Sequence, residues 1–146
     1  MLSGTRKIFN VMYPNQVIDL QQGGSTDGTP ITGYAYDANG TNQHQRWFVQ
    51  VLEMDAEGNN ITVKLTNNGN GIYMRAEQET LGRELFGSHI ATKWTLVKQN
   101  DMGQYMIQAQ EGELVCVLEN GENSTPITLA VPDDGDNSQL WTLSDT

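Results

Sequence analysis

Apolar and polar residues alternate along short segments of this chain. In residues 61–66, Ile, Val and Leu occupy every second position and Thr or Lys the others. A period of two is typical of a β-strand with one buried face. Gly, Asn, Asp and Ser separate such segments at intervals of about eight to twelve residues, and turn residues at that spacing are typical of all-β proteins. The pattern predicts twelve strands, at residues 5–11, 16–20, 30–36, 45–52, 60–67, 71–77, 84–90, 93–98, 103–110, 113–118, 126–131 and 140–144.

The three tryptophans indicate an internal repeat. Trp47, Trp94 and Trp141 are separated by 47 residues and again by 47 residues. The first and last close a Gln-x-Trp motif, at residues 45–47 and 139–141. In a strand, this spacing places the Gln and the Trp on one face, so the indole can enter the core while the amide satisfies backbone groups at its rim.

A second motif supports the same repeat. Thr-Pro-Ile-Thr occurs at residues 29–32 and again at 125–128, at a similar distance before Gln-x-Trp. Units of about fifty residues cannot bury their apolar faces alone and must share one core. The sequence therefore predicts a single all-β domain over residues 1–146, a β-trefoil of three four-stranded repeats with pseudo-threefold symmetry. We number its units first to third, at about residues 1–51, 52–98 and 99–146.

These motifs resemble those of a known protein family. Val-Ile-Asp-Leu at 17–20, Gly-Thr-Pro-Ile-Thr-Gly-Tyr at 28–34 and the two Gln-x-Trp motifs are similar to the ricin B-chain-like lectins. Within that family the chain is most similar to the small single-domain lectins of mushroom fruiting bodies, and the resemblance covers essentially its whole length. It implies binding of glycans with terminal galactose or N-acetylgalactosamine and a role in fungal defence.

Asp19 is the first candidate for a sugar-binding residue. It follows Val17 and Ile18 and precedes Leu20, where a charged residue is out of place unless it faces a ligand. A carboxylate can accept hydrogen bonds from two sugar hydroxyls at once. The resemblance implies this role for Asp19, whereas its alternative is a turn or capping residue.

The resemblance also implies an aromatic residue and an amide at the site. Counted from the Thr-Pro-Ile motif, the ring that packs on the sugar is Tyr34, with Tyr36 as its substitute on the same strand face. The family has an Asn directly before the Gln of Gln-x-Trp, but this chain has His44 there and Asn42 two residues earlier. Either can make the polar contact; equally, the tyrosines can be ordinary strand residues and His44 a surface histidine.

The other two units lack this combination. In the repeat alignment, the position equivalent to Asp19 is Val117 in the third unit and Met74 or Arg75 in the second. The Val side chain has no hydrogen-bond acceptor, and the Met thioether is only a weak one. We expect one site, in the first unit, so that agglutination would require a homodimer.

Charge and composition exclude several other functions. Eight basic and 18 acidic residues give a net charge of −10, which repels nucleic acid and anionic lipid. No apolar segment is long enough to span a membrane, and the N-terminus lacks the apolar run of a signal peptide. We therefore expect a cytoplasmic protein, or one exported by an unconventional route. The single cysteine, Cys116, lies in an apolar run and is expected in the core.

The sequence does not indicate an enzyme. Neither His44 nor His89 lies in a metal-ligand or nucleophile motif, and the acidic run at 133–136 lacks the downstream carboxylates of a calcium loop. We expect no catalytic residues, metal or cofactor. A protease inhibitor is one alternative, because β-trefoils also serve that purpose and residues 75–83 could form an exposed inhibitory loop. A third alternative is a degenerate trefoil that acts only as a protein-binding scaffold. Those residues have the composition of a helix but are as readily a long loop.

Overall fold

The computed structural model describes residues 2–144. Within that range it is an all-β structure, as the sequence predicts, with helix limited to 3₁₀ turns at Gln21–Gly23, Gln43–Gln45 and Asn137–Gln139. The strands are β1 (Gly4–Arg6), β2 (Ile8–Asn10), β3 (Gln16–Leu20), β4 (Thr29–Ala35), β5 (Trp47–Met54), β6 (Asn60–Asn67), β7 (Tyr73–Arg75), β8 (Phe86–Ser88), β9 (Lys93–Lys98), β10 (Gln104–Ala109), β11 (Val115–Val117), β12 (Thr125–Pro126), β13 (Thr128–Ala130) and β14 (Trp141–Leu143).

Two of the predicted strands are each divided in two, so the prediction of twelve strands is wrong in number. The predicted strand at 5–11 becomes β1, which pairs with β5, and β2, which pairs with β3 and β14. The predicted strand at 126–131 becomes β12, paired with β4, and β13, paired with β11. In both cases the chain changes its hydrogen-bonding partner partway along, which alternation of side chains does not reveal.

Nine strands form a closed, antiparallel ring. Starting at β6, the order of neighbours is β7, β8, β4, β3, β2, β14, β10 and β9, and β9 pairs with β6 again. Closure leaves these strands without a free edge. The apolar side chains on the inner faces form one main core, which contains all three tryptophans.

The three units meet at a small ring of backbone hydrogen bonds. The N–H of Ile31 donates to the carbonyl oxygen of Leu85 (3.3 Å), the N–H of Leu85 to that of Ile127 (2.9 Å), and the N–H of Ile127 to that of Ile31 (3.2 Å). Each residue comes from a different unit, and each is buried. The repeat seen in the sequence is therefore also a repeat in space.

Each tryptophan occupies the same environment in its own unit. All three are fully buried. Their indole N–H groups donate to backbone carbonyl oxygens: Trp47 to Ile18 (2.9 Å), Trp94 to Met74 (3.0 Å) and Trp141 to Cys116 (3.1 Å). The residues that follow these acceptors are therefore equivalent, which places Arg75 and Val117 at the position of Asp19. As predicted, Cys116 is a core residue, and burial raises the pKa of its thiol.

Candidate functional site

The four predicted site residues line one pocket on the outer side of the first unit. The pocket has a volume of about 290 Å³. Its walls are formed by Asp19, Gln21, Gln22, Thr32, Tyr34, Asn42, His44 and Ser124. Asp19 and Thr32 lie directly opposite each other on β3 and β4, as do Val17 and Tyr34, so the two strands present Asp19, Thr32 and Tyr34 on one face.

Asp19 is a buried carboxylate with one oxygen left for a ligand. Its side chain is almost fully buried, with 6% of the residue surface exposed. Oδ2 accepts a hydrogen bond from Nε2 of Gln45 (2.9 Å), whereas no donor among residues 2–144 reaches Oδ1. Burial raises the pKa of Asp19, and the Gln45 hydrogen bond and the nearby His44 oppose that shift. This is a hydrogen-bond acceptor held at the bottom of a polar pocket.

The Gln of Gln-x-Trp orients that carboxylate. Besides Asp19, Nε2 of Gln45 contacts the carbonyl oxygen of Ala35 (3.0 Å), and its Oε1 accepts from the N–H of Asp37 (2.8 Å). Gln139 makes the same two backbone contacts in the third unit, with the N–H of Asp133 (2.8 Å) and the carbonyl oxygen of Val131 (2.9 Å). The motif is therefore a loop anchor in both units, and only in the first does it also hold a carboxylate.

A hydrogen-bonded loop positions Asn42 and His44. The carboxylate of Asp37 accepts from the backbone N–H groups of Asn39 (3.0 Å), Thr41 (3.0 Å) and Asn42 (2.9 Å). These bonds, that from Asn39 first, lower the pKa of Asp37. Oδ1 of Asn42 then accepts from the N–H of His44 (2.9 Å) and caps the 3₁₀ turn. The Asn42 amide nitrogen stays available to the pocket.

Both alternatives for the polar contact therefore lie at the pocket. The His44 ring packs closely on Gly23, where an added Cβ would lie only 2.2 Å from Nε2. Asn67 in the second unit donates to the His44 carbonyl oxygen (2.9 Å), and Asn70 donates to the carbonyl oxygens of Gly23 (3.0 Å) and Gly24 (2.9 Å). The tight turn after β6 thus supports one wall of a site in the first unit.

The two tyrosines have different positions. Tyr34 lines the pocket and is 42% exposed, so its ring is available to a ligand. Tyr36 packs edge-to-face on Phe9, with ring centroids 5.4 Å apart, and lies outside the pocket lining. Tyr34, not its substitute, accompanies Asp19.

Four lining residues are absent from the sequence-based prediction. The Thr32 hydroxyl is buried in the pocket and has no hydrogen-bond partner among the described residues. A buried hydroxyl without a partner is unfavourable unless a ligand or water supplies one. Thr32 lies two residues before Tyr34, so strand alternation could have identified it. Gln21, Gln22 and Ser124 lie in hairpin loops, for which no such periodicity exists.

The equivalent positions in the other units carry different chemistry. Arg75 donates through Nη1 to Oγ1 of Thr92 (3.2 Å), which replaces the contact between Asp19 and Gln45 with a cation and a hydroxyl. Val117 is buried and apolar. Of the three equivalent positions, all within residues 2–144, only the one in the first unit carries a carboxylate, that of Asp19.

A second cavity, of about 520 Å³, lies between the hairpins of the first two units. It is lined by Gly28 and Pro30 and by much of the segment 77–86. The segment 76–83 is a loop, and its Leu81 is 69% exposed.

Within residues 2–144, no three His, Cys, Asp or Glu residues are grouped to hold a metal ion. The described part of the chain also has no helix of the length and hydropathy needed to cross a membrane.

Solved structures of fungal lectins match this chain. No protein-family model matches it. The Rhizoctonia solani agglutinin is 26% identical, with a TM-score of 0.82 over 100% of this chain and 97% of its own. The Macrolepiota procera ricin B-like lectin, solved with lactose, is 22% identical, with a TM-score of 0.76 over 99% and 97%. The designed three-fold symmetric protein ThreeFoil is 20% identical, with a TM-score of 0.84 over 98% and 99%. The resemblance to fungal ricin B-like lectins that the motifs predict is thus confirmed, and the chain has their fold throughout its length.

Proposed function

We propose that this chain is a β-trefoil lectin that binds glycans with terminal galactose or N-acetylgalactosamine in the first-unit pocket. The observation that carries the proposal is the buried carboxylate of Asp19, with Oδ1 unoccupied by any described donor, beside the exposed ring of Tyr34. Neutral sugars present hydroxyl pairs and a patch of C–H bonds, which match a carboxylate and an aromatic ring.

Each side chain has a distinct part in binding. Asp19 accepts hydrogen bonds from two hydroxyls, one at Oδ1 and one at the second lone pair of Oδ2, whose first accepts from Gln45. Tyr34 packs on the C–H face of the ring. The amide nitrogen of Asn42 and the ring of His44 fix a further hydroxyl, and the unpartnered hydroxyl of Thr32 completes the pocket floor. The preference for galactose follows from the family resemblance and is supported by the Macrolepiota procera lectin, whose structure contains lactose.

We propose one such site per chain, because Arg75 and Val117 occupy the equivalent positions. A monovalent lectin cannot cross-link two cells, so agglutination requires a homodimer. Size-exclusion chromatography with light scattering, beside a haemagglutination assay, tests this point. Agglutination by a preparation that is entirely monomeric would contradict the single site.

The decisive experiment compares the parent with Asp19→Ala on a glycan array. We expect the parent to bind galactose- or N-acetylgalactosamine-terminated glycans and the variant to bind none, with an unchanged far-UV circular dichroism spectrum. Asp101→Ala is the matched control, since that carboxylate is 96% exposed and distant in sequence from the site. If Asp19→Ala binds as the parent does, the site is wrong; if the parent binds no glycan, the function is wrong. Trypsin and papain inhibition assays on the same preparation test the inhibitor alternative.

We further propose that the lectin is cytoplasmic and acts in fungal defence against animals that feed on the tissue. This role depends on glycan binding, so toxicity to nematodes in a feeding assay should be lost in Asp19→Ala. Equal toxicity of parent and variant would separate the two activities.

A further inference from the structure

Three hairpin residues, one per unit, occupy equivalent positions. Gly28 donates its backbone N–H to Gly87 (2.9 Å), Gly82 to Leu129 (2.8 Å) and Ser124 to Gly33 (2.9 Å). Each acceptor belongs to the next unit around the ring. All three donors have positive φ, of 95°, 78° and 68° respectively. The fold thus requires a left-handed backbone conformation at this position in every unit.

Serine is the unfavourable choice there. Glycine adopts positive φ without the steric cost that a Cβ imposes, and the first two units have glycine. The Ser124 hydroxyl has no hydrogen-bond partner within residues 2–144, so no internal contact compensates for that cost. A residue held in a strained conformation without structural benefit points to a role in function.

Ser124 lies at the candidate site. Its hairpin ends beside β4, and Ser124 lines the pocket with Asp19 and Tyr34. The other non-glycine residue with positive φ among residues 2–144, Gln22 at 52°, lines the same pocket. Both strained residues of the described chain therefore border one cavity.

We propose that Ser124 is a specificity-determining residue whose hydroxyl hydrogen-bonds to the bound saccharide, so that the third unit completes the first-unit site. This inference rests on the proposed lectin function. It adds one sugar hydroxyl to the pair bound by Asp19. That hydroxyl contacts Ser124, which lies 105 positions after Asp19 in the sequence.

The test separates the hydroxyl from the backbone. Ser124→Ala removes the hydroxyl but retains the strained Cβ, and Ser124→Gly removes both. With lactose and N-acetylgalactosamine as probes in isothermal titration calorimetry, we expect both variants to bind the preferred sugar roughly three- to tenfold more weakly, the loss of one neutral hydrogen bond. We expect Ser124→Ala to melt with the parent and Ser124→Gly to melt at the same or a higher temperature.

Gly82→Ser is the matched control, because it introduces the same strain at the equivalent position away from the pocket. It should lower the melting temperature and leave affinity unchanged. If Ser124→Ala binds as tightly as the parent, the inference is overturned. This holds even if Ser124→Gly binds weakly, because the loss would then come from the backbone and not from the hydroxyl. Those results would leave the lectin function intact, whereas a parent that binds neither sugar would overturn both.

Discussion

Asp19 is a carboxylate in an environment that disfavours its charge. Burial raises its pKa, and the partners that lower it are a neutral amide, Gln45, and a histidine, His44. Neither is a permanently charged cation such as Arg, which usually accompanies a buried acid. A residue that costs stability where it stands is typical of a binding site, because the ligand supplies the missing contacts.

Asp19→Asn should therefore make the folded protein more stable at neutral pH, by on the order of 0.5–2 kcal/mol, as stabilising substitutions commonly do. Because the folded-state pKa of Asp19 is raised above its unfolded value, its contribution favours folding at low pH and is lost as the pH rises through the folded pKa. Asp19→Asn has no carboxyl group to ionise, so its stability does not fall in this way as the pH rises. Urea unfolding at neutral pH and below the ordinary aspartate pKa measures the difference, and a less stable variant at neutral pH would contradict it.

The same shift predicts the pH dependence of binding. Protonation of Asp19 replaces an acceptor with a donor, so parent affinity for lactose should fall as the pH drops, starting above the ordinary aspartate pKa. Calorimetric titrations across the acidic range, run where circular dichroism shows the fold intact, measure this. Affinity that stays constant down to the ordinary aspartate pKa would exclude Asp19 as the acceptor.

At the scale of elements, the site depends on two turns that meet. The 3₁₀ turn Gln43–Gln45 carries His44, and the turn Gln21–Gly23 provides the surface on which its ring packs. The Gln-x-Trp motif fixes the turn Gln43–Gln45 in two ways, through the amide contacts of Gln45 and through the buried side chain of Trp47. The third unit retains the same anchor around Gln139 without the ligand chemistry, so the anchor is structural and the chemistry is added to it.

Gly23→Ala should disturb binding through His44. Its φ is 63°, and the added Cβ would lie 2.2 Å from Nε2 of His44, so the ring must move. We expect affinity for lactose to fall about tenfold or more, a loss of about 1.4 kcal/mol. Gly58→Ala is the control, because φ is 72° there and its Cβ would meet Met54 only at an ordinary 3.6 Å. Thermal melting should show that both variants lose stability to backbone strain, with the greater loss in Gly23→Ala, and calorimetry should show weak binding in Gly23→Ala alone.

At the scale of the whole molecule, the units do not form separate cores. The closed ring of strands, the hydrogen-bonded triad of Ile31, Leu85 and Ile127, and a shared core join all three. Even the pocket is shared: its carboxylate comes from the first unit, its support from a turn of the second and Ser124 from the third. Loss of one core tryptophan should therefore affect every unit.

Trp47→Ala should lower the free energy of unfolding by roughly 3–5 kcal/mol and keep a single transition. Trp47 is fully buried and bonded to Ile18, so truncation leaves a cavity and an unpaired carbonyl oxygen. Denaturant curves from far-UV circular dichroism and from the fluorescence of Trp94 and Trp141 should coincide. Two separated transitions would show that the units unfold independently.

The sequence by itself determined the repeat and the all-β class, and its family resemblance pointed to four of the eight residues that line the pocket. Period-two alternation is a local feature, set by which side chains must be buried, whereas the equal tryptophan spacing is a repeat along the whole chain. The family resemblance, not the alternation, implied Tyr34 beside Asp19, and the structure places both residues on the same side of neighbouring strands. Alternation cannot count strands that change partners, which is why fourteen described strands replace the twelve predicted.

Only the tertiary structure decided which distant residues complete the pocket. Ser124, Asn67 and Asn70 reach the first unit because hairpins and turns of the other units pack against it, and no local pattern encodes that packing. It also brought both Asn42 and His44 to the pocket, because Asn42 caps the 3₁₀ turn by accepting a hydrogen bond from the N–H of His44. Positions inside strands follow from periodicity, whereas loop positions follow from long-range contacts. The candidate site is assembled largely from loops and belongs to the second group.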